Sequence, residues 1–214
     1  LFLLCSSMVK ILIDGSGCTV RTRKETEDIA YELVKRVGAM IVTKLTPCVG
    51  YDAFLGAKRA NGEVVCVVPW LKPSPWDYIN DCQQYTNAEI IAIDEREINP
   101  NSQLIRWTFR AGQMADVIVI IEVRARRTPK GVRCDAGVCY YTRFAKLGWK
   151  PVLIHEPLID DEEVVNGYRH FVENGAIPFS SIDDLINKIN EVMKSSSRQR
   201  RGTRRHPSQQ SSGT

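Results

Sequence analysis

A continuous run of β-branched apolar residues at 117–121 limits the fold more than any other feature of the sequence. Successive side chains of a strand point to opposite faces of a sheet, so a strand without polar positions must be covered on both faces. Such strands are typical of a parallel sheet that lies between two layers of helices. We therefore predict that residues 117–121 form the centre of such a sheet.

Strand and helix patterns alternate along the rest of the chain. The predicted strands are 9–14, 39–43, 64–68, 89–93, 116–122 and 151–154, and the predicted helices are 24–37, 51–60, 102–114, 135–147, 164–174 and 181–193. This alternation predicts an α/β fold, with a doubly wound, mostly parallel, Rossmann-like sheet covered by helices on both faces.

Composition divides the chain into three segments. The 214 residues are 43% hydrophobic and 25% charged, which is enough for one buried core. Residues 195–214 contain five arginines and no acidic or apolar residue, so we predict a disordered basic tail there. Residues 1–7 are expected to be a non-native upstream extension, and residues 8–194 the Rossmann-like domain.

The cysteines are scattered singly along the chain. They are Cys5, Cys18, Cys48, Cys66, Cys82, Cys134 and Cys139. Their spacing matches no metal-binding pattern, so no metal site is predicted. Dispersed thiols are typical of intracellular proteins, and no apolar run approaches the roughly 20 residues of a membrane span. We therefore expect a cytoplasmic protein that does not contact the membrane.

A glycine-containing turn follows the first predicted strand. The residues of interest in it are Gly15, Ser16, Gly17 and Thr19. Glycines let the backbone approach a ligand, and the N-terminus of the next helix attracts an anion such as phosphate. The turn lacks the full GxGxxG or Walker pattern, so a tight turn without a ligand is the alternative.

A second glycine precedes a helix after the second strand. Gly50 lies at the start of that helix and Asp52 in its first turn. Asp52 either bonds a ribose hydroxyl or a nucleobase, or caps the helix. With the first glycine turn, these residues form the predicted phosphate- or nucleotide-binding site, because the carboxyl ends of parallel strands share one edge.

Cations follow the central strand and also precede it. The predicted nucleic-acid-binding residues are Arg106, Arg110, Arg124, Arg126, Arg127, Lys130 and Arg133. Arginine forks suit phosphate groups, whereas a solvated basic loop is the alternative for residues 124–133. Trp107 and Phe109 adjoin the first two arginines, and they either stack on a base or belong to the core.

No nucleophile with its base is recognisable. His155 follows a predicted strand, but no serine elbow or cysteine constellation accompanies it. We therefore predict a binding protein without catalytic residues and without a cofactor.

The order of these motifs resembles the DNA-processing protein A family (DprA/Smf), within a wider Rossmann-like group that includes the LOG phosphoribohydrolases. Residues 15–19 resemble the family's glycine-serine loop, 49–53 its RGIDA element and 116–122 its strand ending in VEA. Residues 148–151, 166–176 and 181–189 resemble its later elements. The resemblance thus covers residues 9–189, nearly the whole globular part.

The resemblance implies a core that binds single-stranded DNA and delivers it to a RecA-type recombinase, and it is compatible with a homodimer. Val49 stands where the family has arginine, Arg106 and Arg110 are out of register with its arginine cluster, and the basic run replaces its SGTLITA-like loop. The PGGxGTxxE motif of the LOG enzymes is absent, and we expect no winged helix after the core.

We therefore expect a single-stranded nucleic-acid-binding protein of DNA processing and recombination. One alternative is a nucleotide-binding sensor or nucleotide hydrolase of the LOG-like group, which would use the same loops for a small ligand. Another is a core that only dimerises. The charge around the Gly15 loop discriminates between strand and small ligand, because an open basic groove favours a strand.

Overall fold

The computed structural model describes residues 8–69, 78–93, 100–129 and 131–202. Its strands are β1 (Lys10–Asp14), β2 (Met40–Thr43), β3 (Val64–Pro69), β4 (Ala88–Ile93), β5 (Val117–Ile120), β6 (Ala125–Thr128), β7 (Gly131–Cys134), β8 (Val152–His155) and β9 (Ile177–Phe179). Seven of them form one parallel sheet in the order β4-β3-β2-β1-β5-β8-β9, and β6 and β7 form a separate antiparallel hairpin.

The helices connect these strands across both faces. They are α1 (Val20–Glu32), α2 (Val49–Arg59), α3 (Tyr78–Gln83), α4 (Pro100–Met114), α5 (Thr142–Lys146), α6 (Glu162–Glu173) and α7 (Ile182–Gly202). A π-helical turn, Leu33–Val37, extends α1, and a 3-10 segment, Asp135–Tyr141, leads into α5. None of the described helices is long and apolar enough to span a membrane.

Two hydrophobic layers hold the sheet. Ile11 and Ile13 of β1 pack with Ile29 and Phe54 from α1 and α2 on one face. Leu12 lies between them in sequence and packs in the layer of Trp107 on the other face. The predicted doubly wound α/β fold is therefore confirmed.

The order of the strands reverses beside β1. From β1 the chain builds β2, β3 and β4 outward on one side, and it returns to β5 on the other side. At such a switch the loops after the two strands separate and leave a crevice at their carboxyl ends. The Gly15 turn and Glu122 follow these two strands, so the fold places both at the crevice.

The structure adds elements that the pattern did not predict. The run at 124–133 contains the hairpin β6–β7, and the three-residue strand β9 extends the sheet beyond β8. The helix predicted to start at residue 24 starts at Val20, because Thr19 is its N-cap and accepts a hydrogen bond from the N–H of Thr22 at 3.1 Å.

The C-terminal helix passes the predicted domain boundary. α7 continues to Gly202, so residues 195–202, predicted to be disordered, are helical. The hydroxyl of Ser195 donates to the carbonyl of Glu191 at 3.0 Å, which continues the helical path. Residues 203–214 and 1–7 lie outside the described residues.

Six cysteines are paired in disulfides, so the expectation of dispersed thiols is wrong for them. The pairs are Cys18–Cys48, Cys66–Cys82 and Cys134–Cys139. The fold brings distant loops together, as the 30-residue separation in the first pair shows. The cytoplasmic location loses the support of free thiols and stays a prediction. Cys5 lies outside the described residues.

Candidate functional site at the carboxyl edge of the sheet

The glycines of the first turn pack on Glu122. A Cβ atom on Gly15 would lie 2.8 Å from the backbone oxygen of Glu122, and one on Gly17 would lie 2.6 Å from its carboxyl carbon. The N–H of Ser16 also donates to that backbone oxygen at 2.7 Å. Both glycines are thus required by a close internal contact, whether or not a ligand approaches the turn.

We expect Gly17→Ala to lower the free energy of unfolding by about 1–3 kcal/mol, because overpacked sites relax incompletely. The added methyl group would meet both the Glu122 carboxyl and the Thr22 methyl at 2.6 Å. Urea denaturation measures the loss. Val20→Ala is the control, since the Val20 side chain is 85% exposed. Equal stability of the two variants would contradict this packing.

The start of α1 presents backbone donors without partners. The N–H groups of Gly15, Thr22 and Arg23 bond within the turn and helix. In the described part of the chain, no hydrogen bond uses the N–H groups of residues 17–21. Unused N–H groups and the positive end of a 13-residue helix together favour an anion.

Glu122 is a buried carboxylate beside these donors, with its side chain 1% exposed. Its Oε2 accepts a hydrogen bond from the Thr22 hydroxyl at 2.7 Å. Its Oε1 has no hydrogen-bond partner and lies 3.6 Å from Nε of Arg124. The resemblance included this residue in the VEA element, but no role was predicted for it.

A buried charge network fixes the end of β1. Nζ of Lys44 lies 2.8 Å from Oδ2 of Asp14, and the Tyr141 hydroxyl donates to the same oxygen at 2.8 Å. Burial, together with the Asp14 carboxylate, raises the pKa of Tyr141 well above its ordinary value. Oδ1 of Asp14 accepts the N–H of Gly15 at 2.8 Å, so the network sets where the glycine turn begins.

Sequence reasoning missed this network. Lys44 directly follows β2 and Asp14 ends β1, so the parallel pairing of the two strands places opposite charges at one edge. That adjacency could have predicted the ion pair between Lys44 and Asp14. Nothing in the sequence indicated the contribution of Tyr141, which is 127 residues from Asp14.

Asp52 is engaged by an arginine. Nε and Nη2 of Arg23 donate to its two oxygens, each at 3.0 Å, and the pair joins α1 to α2. The hydrogen bond to Asp52 raises the pKa of Arg23. Gly50 packs on Thr46, whose hydroxyl oxygen would lie 2.6 Å from an added Cβ. The predicted bond from Asp52 to a ribose or base would therefore compete with Arg23.

The arginines of the hairpin β6–β7 form ion pairs with acidic residues of α6 and of its N-cap. Arg124 pairs with Asp161 at 3.2 Å, Arg126 with Glu163 at 2.6 Å and Arg127 with Glu173 at 3.6 Å. The N–H of Val164 and the charge of Arg124 lower the pKa of Asp161. These cations were predicted to face solvent or a polyanion, and in the structure they face carboxylates of the protein itself.

The remaining predicted cations lie elsewhere. Arg133 is exposed on β7, opposite Arg126, and Lys130 lies outside the described residues. Arg106 and Arg110 are exposed on α4, where with Phe109 and residues of β4 they line an open cavity of about 520 Å³. β4 lies three strands from β1, so these two arginines do not join the glycine turn.

Trp107 belongs to the core. Its indole N–H donates to the backbone oxygen of Val67 at 2.7 Å, and its ring lies 5.2 Å from Nζ of Lys44. A base cannot stack on a ring held in this way. Across the described ranges, no group of three or more histidine, cysteine or acidic residues is arranged to hold a metal ion.

Solved structures share this arrangement of strands and helices. DNA processing protein A from Helicobacter pylori superposes with a TM-score of 0.65 at 18% identity over 86% of this chain and 80% of that one. The fold is that of the DNA-processing protein A core. The Streptococcus pneumoniae protein gives 0.64 at 14% identity over 84% of this chain, which spans 61% of that longer protein.

The DNA-processing protein A resemblance seen in the sequence is thus confirmed for the fold. The molybdenum cofactor carrier protein from Chlamydomonas reinhardtii also matches, with a TM-score of 0.56 at 14% identity over 87% of this chain and 99% of that one. No family model matches the sequence. A search of curated proteins finds no relative.

Proposed function

We propose that the carboxyl edge of the sheet binds a small phosphorylated ligand of the nucleotide class and that the protein acts as a nucleotide sensor. The observation that carries this proposal is the set of N–H groups at residues 17–21 that no described hydrogen bond uses. They lie at the N-terminus of α1, beside the switch between β1 and β5. Both features favour a phosphate.

The charge balance of this edge favours one small anion over a strand. Arg23, Arg124 and Arg126 already face carboxylates of the protein. Affinity for a nucleic-acid strand comes largely from cations that replace its counterions. A strand would have to break these pairs, whereas a single phosphate at residues 17–21 would leave them in place.

Val20 offers a test that leaves the side chains of the site unchanged. It is the first residue of α1, and Thr19 before it has φ −70° and ψ 156°, a conformation that proline accepts in the preceding residue. Proline is tolerated at the first helical position. Val20→Pro removes one unused N–H, and Val20→Ala keeps it.

We expect at least one of the four ribonucleoside 5′-monophosphates to raise the melting temperature of the wild type and of V20A. V20P should bind that nucleotide about tenfold more weakly in calorimetric titration, because it loses one hydrogen bond to a charged group. Equal affinities of V20P and V20A would refute the phosphate position. No stabilisation by any of the four nucleotides would refute the proposed function.

Single-stranded DNA binding is the second candidate. It is supported by the fold shared with DNA-processing protein A, whose Helicobacter pylori member is described as binding single-stranded DNA. Exposed Arg106 and Arg110 beside Phe109 also favour it. In this candidate the hairpin arginines and the C-terminal arginines contact phosphates. This candidate also includes three predictions made from the sequence, namely a recombinase partner, a homodimer and a cytoplasmic location.

Fluorescence anisotropy of a labelled oligo-dT strand at two salt concentrations separates the candidates. Salt-dependent binding that mononucleotides do not displace, and that Arg106→Gln with Arg110→Gln weakens, favours the strand. Displacement of the strand by a mononucleotide favours the small-ligand site at the glycine turn.

A further inference from the structure

Three buried side-chain atoms of the described residues have no hydrogen-bond partner. They are Oγ1 of Thr46, Oε1 of Glu122 and Nε2 of His155. Thr46 follows β2, Glu122 follows β5 and His155 ends β8, so all three lie at the carboxyl edge of the sheet. Unpartnered buried polar atoms are destabilising and rare. Oε1 of Glu122 lies nearest to the glycine turn, 2.8 Å from the position of a Cβ on Gly17, and its charged neighbour Arg124 is too far away, at 3.6 Å, for a hydrogen bond.

Glu122 and His155 lie near the ends of two adjacent strands. Ile120 of β5 pairs with Ile154 of β8, so His155 is one residue beyond this pair and Glu122 is two residues beyond it. α1 covers both side chains: Thr22 donates to Oε2 of Glu122 at 2.7 Å, and Glu25 Oε1 lies 3.5 Å from Nε2 of His155. A polar cluster therefore lies under the first two turns of α1, next to the unused N–H groups.

The open atom of Glu122 is a hydrogen-bond acceptor, because a carboxylate oxygen only accepts. His155 has neighbours within the protein: its Nδ1 lies 2.6 Å from the carbonyl oxygen of Glu156, and its Nε2 faces Oε1 of Glu25 at 3.5 Å. A ligand that completes Glu122 must therefore bring a donor. A bare phosphate dianion brings none.

We propose that the ligand carries free hydroxyl groups beside its phosphate, as the ribose of a ribonucleotide does, and that Oε1 of Glu122 accepts a hydrogen bond from one of them. This inference rests on the proposed function and names the part of the ligand that Glu122 recognises. Sugars within a DNA strand have no free hydroxyl, so Glu122 selects against DNA at this position.

Arg124 controls access to this carboxylate. Its side chain is 30% exposed, lies 3.6 Å from Oε1 of Glu122 and pairs with Asp161 at 3.2 Å. A ligand hydroxyl reaches Oε1 when the guanidinium moves off Glu122, and the pair of Arg124 with Asp161 can stay in place as it does so. Access to the carboxylate therefore depends on one side chain.

The ligand-side test uses unmodified protein. Titration calorimetry compares AMP with its 2′,3′-dideoxy form, which differs only in the two hydroxyls. We expect wild-type protein to bind AMP at least about tenfold more tightly, the effect of one hydrogen bond to a charged acceptor. Equal affinities would overturn the assignment of the hydroxyl and leave the nucleotide site standing. No binding of either compound, or of the three other ribonucleoside monophosphates, would refute the proposed function itself.

The protein-side test uses Glu122→Gln. Glutamine keeps an oxygen for the Thr22 hydroxyl and replaces the open acceptor by an amide donor. We expect E122Q to bind AMP and dideoxy-AMP within about twofold of each other, and Glu173→Gln, a matched change at an exposed carboxylate of α6, to keep the preference of the wild type. A preference that persists in E122Q would overturn the proposal. If E122Q has a melting temperature too low for titration, the comparison of AMP with dideoxy-AMP on the wild type decides whether a hydroxyl is recognised.

Discussion

Replacing Lys44 by methionine is expected to lower the free energy of unfolding by about 3–5 kcal/mol, because it leaves the buried Asp14 carboxylate without its cation. The side chains of both residues are at most 1% exposed, and Nζ of Lys44 lies 2.8 Å from Asp14 Oδ2. Methionine preserves most of the apolar stem between the rings of Trp107 and Tyr141. Urea denaturation followed by circular dichroism measures the loss.

Removal of both charges provides the control for this prediction. Lys44→Met with Asp14→Asn leaves an amide oxygen for the N–H of Gly15 and no buried charge, so the double variant should be more stable than K44M alone. If the free energy of unfolding of K44M lies within about 1 kcal/mol of the wild-type value, the ion pair is accessible to water, since exposed pairs contribute at most about that much.

Loss of the Cys18–Cys48 disulfide should have the second largest effect. Cys18→Ser with Cys48→Ser is expected to lower the free energy of unfolding by about 2–4 kcal/mol under non-reducing conditions, because the unfolded chain regains the freedom of a 30-residue loop. The disulfide also ties the turn before α1 to the start of α2. Urea denaturation of the oxidised proteins gives the difference.

Reduction separates the cross-link from the packing of the two sulfurs. With dithiothreitol present, the wild type and C18S/C48S should unfold at nearly the same urea concentration, since both lack the bond. A difference that persists under reduction would assign the loss to the serine substitutions. Mass spectrometry of the alkylated native protein shows directly whether Cys18 is paired before reduction.

Much of the sheet was predictable because its strands are apolar on both faces. The central strand at 117–121 is an example, since few alternatives to a covered parallel strand exist for it. β9 was missed because three residues, one of them Pro178, carry no periodicity. The hairpin β6–β7 was missed because its arginines are typical of a solvated loop and its stability comes partly from α6.

The location of the candidate site was predictable, and its chemistry less so. Parallel strands bring their carboxyl ends to one edge, which placed the Gly15 turn beside Gly50. The partners of the charged residues could not be inferred. Asp161 lies 37 residues from Arg124, and nothing in the sequence around either residue indicates that the N-cap of α6 pairs with the Arg124 guanidinium. Likewise, the burial of Glu122 depends on how α1 crosses the end of β5.

The contact of Gly15 and Gly17 with Glu122 changes what a glycine turn can reveal about a lineage. A descendant that stopped binding its ligand would retain both glycines for as long as it retained the glutamate, because their absent Cβ atoms make room for Glu122 and Thr22. Glycines and glutamate would then be inherited as a unit. Among divergent members of this fold, the glycine turn would persist after ligand binding is lost. A helix N-terminus with unused N–H groups would then be the better marker of a functional site.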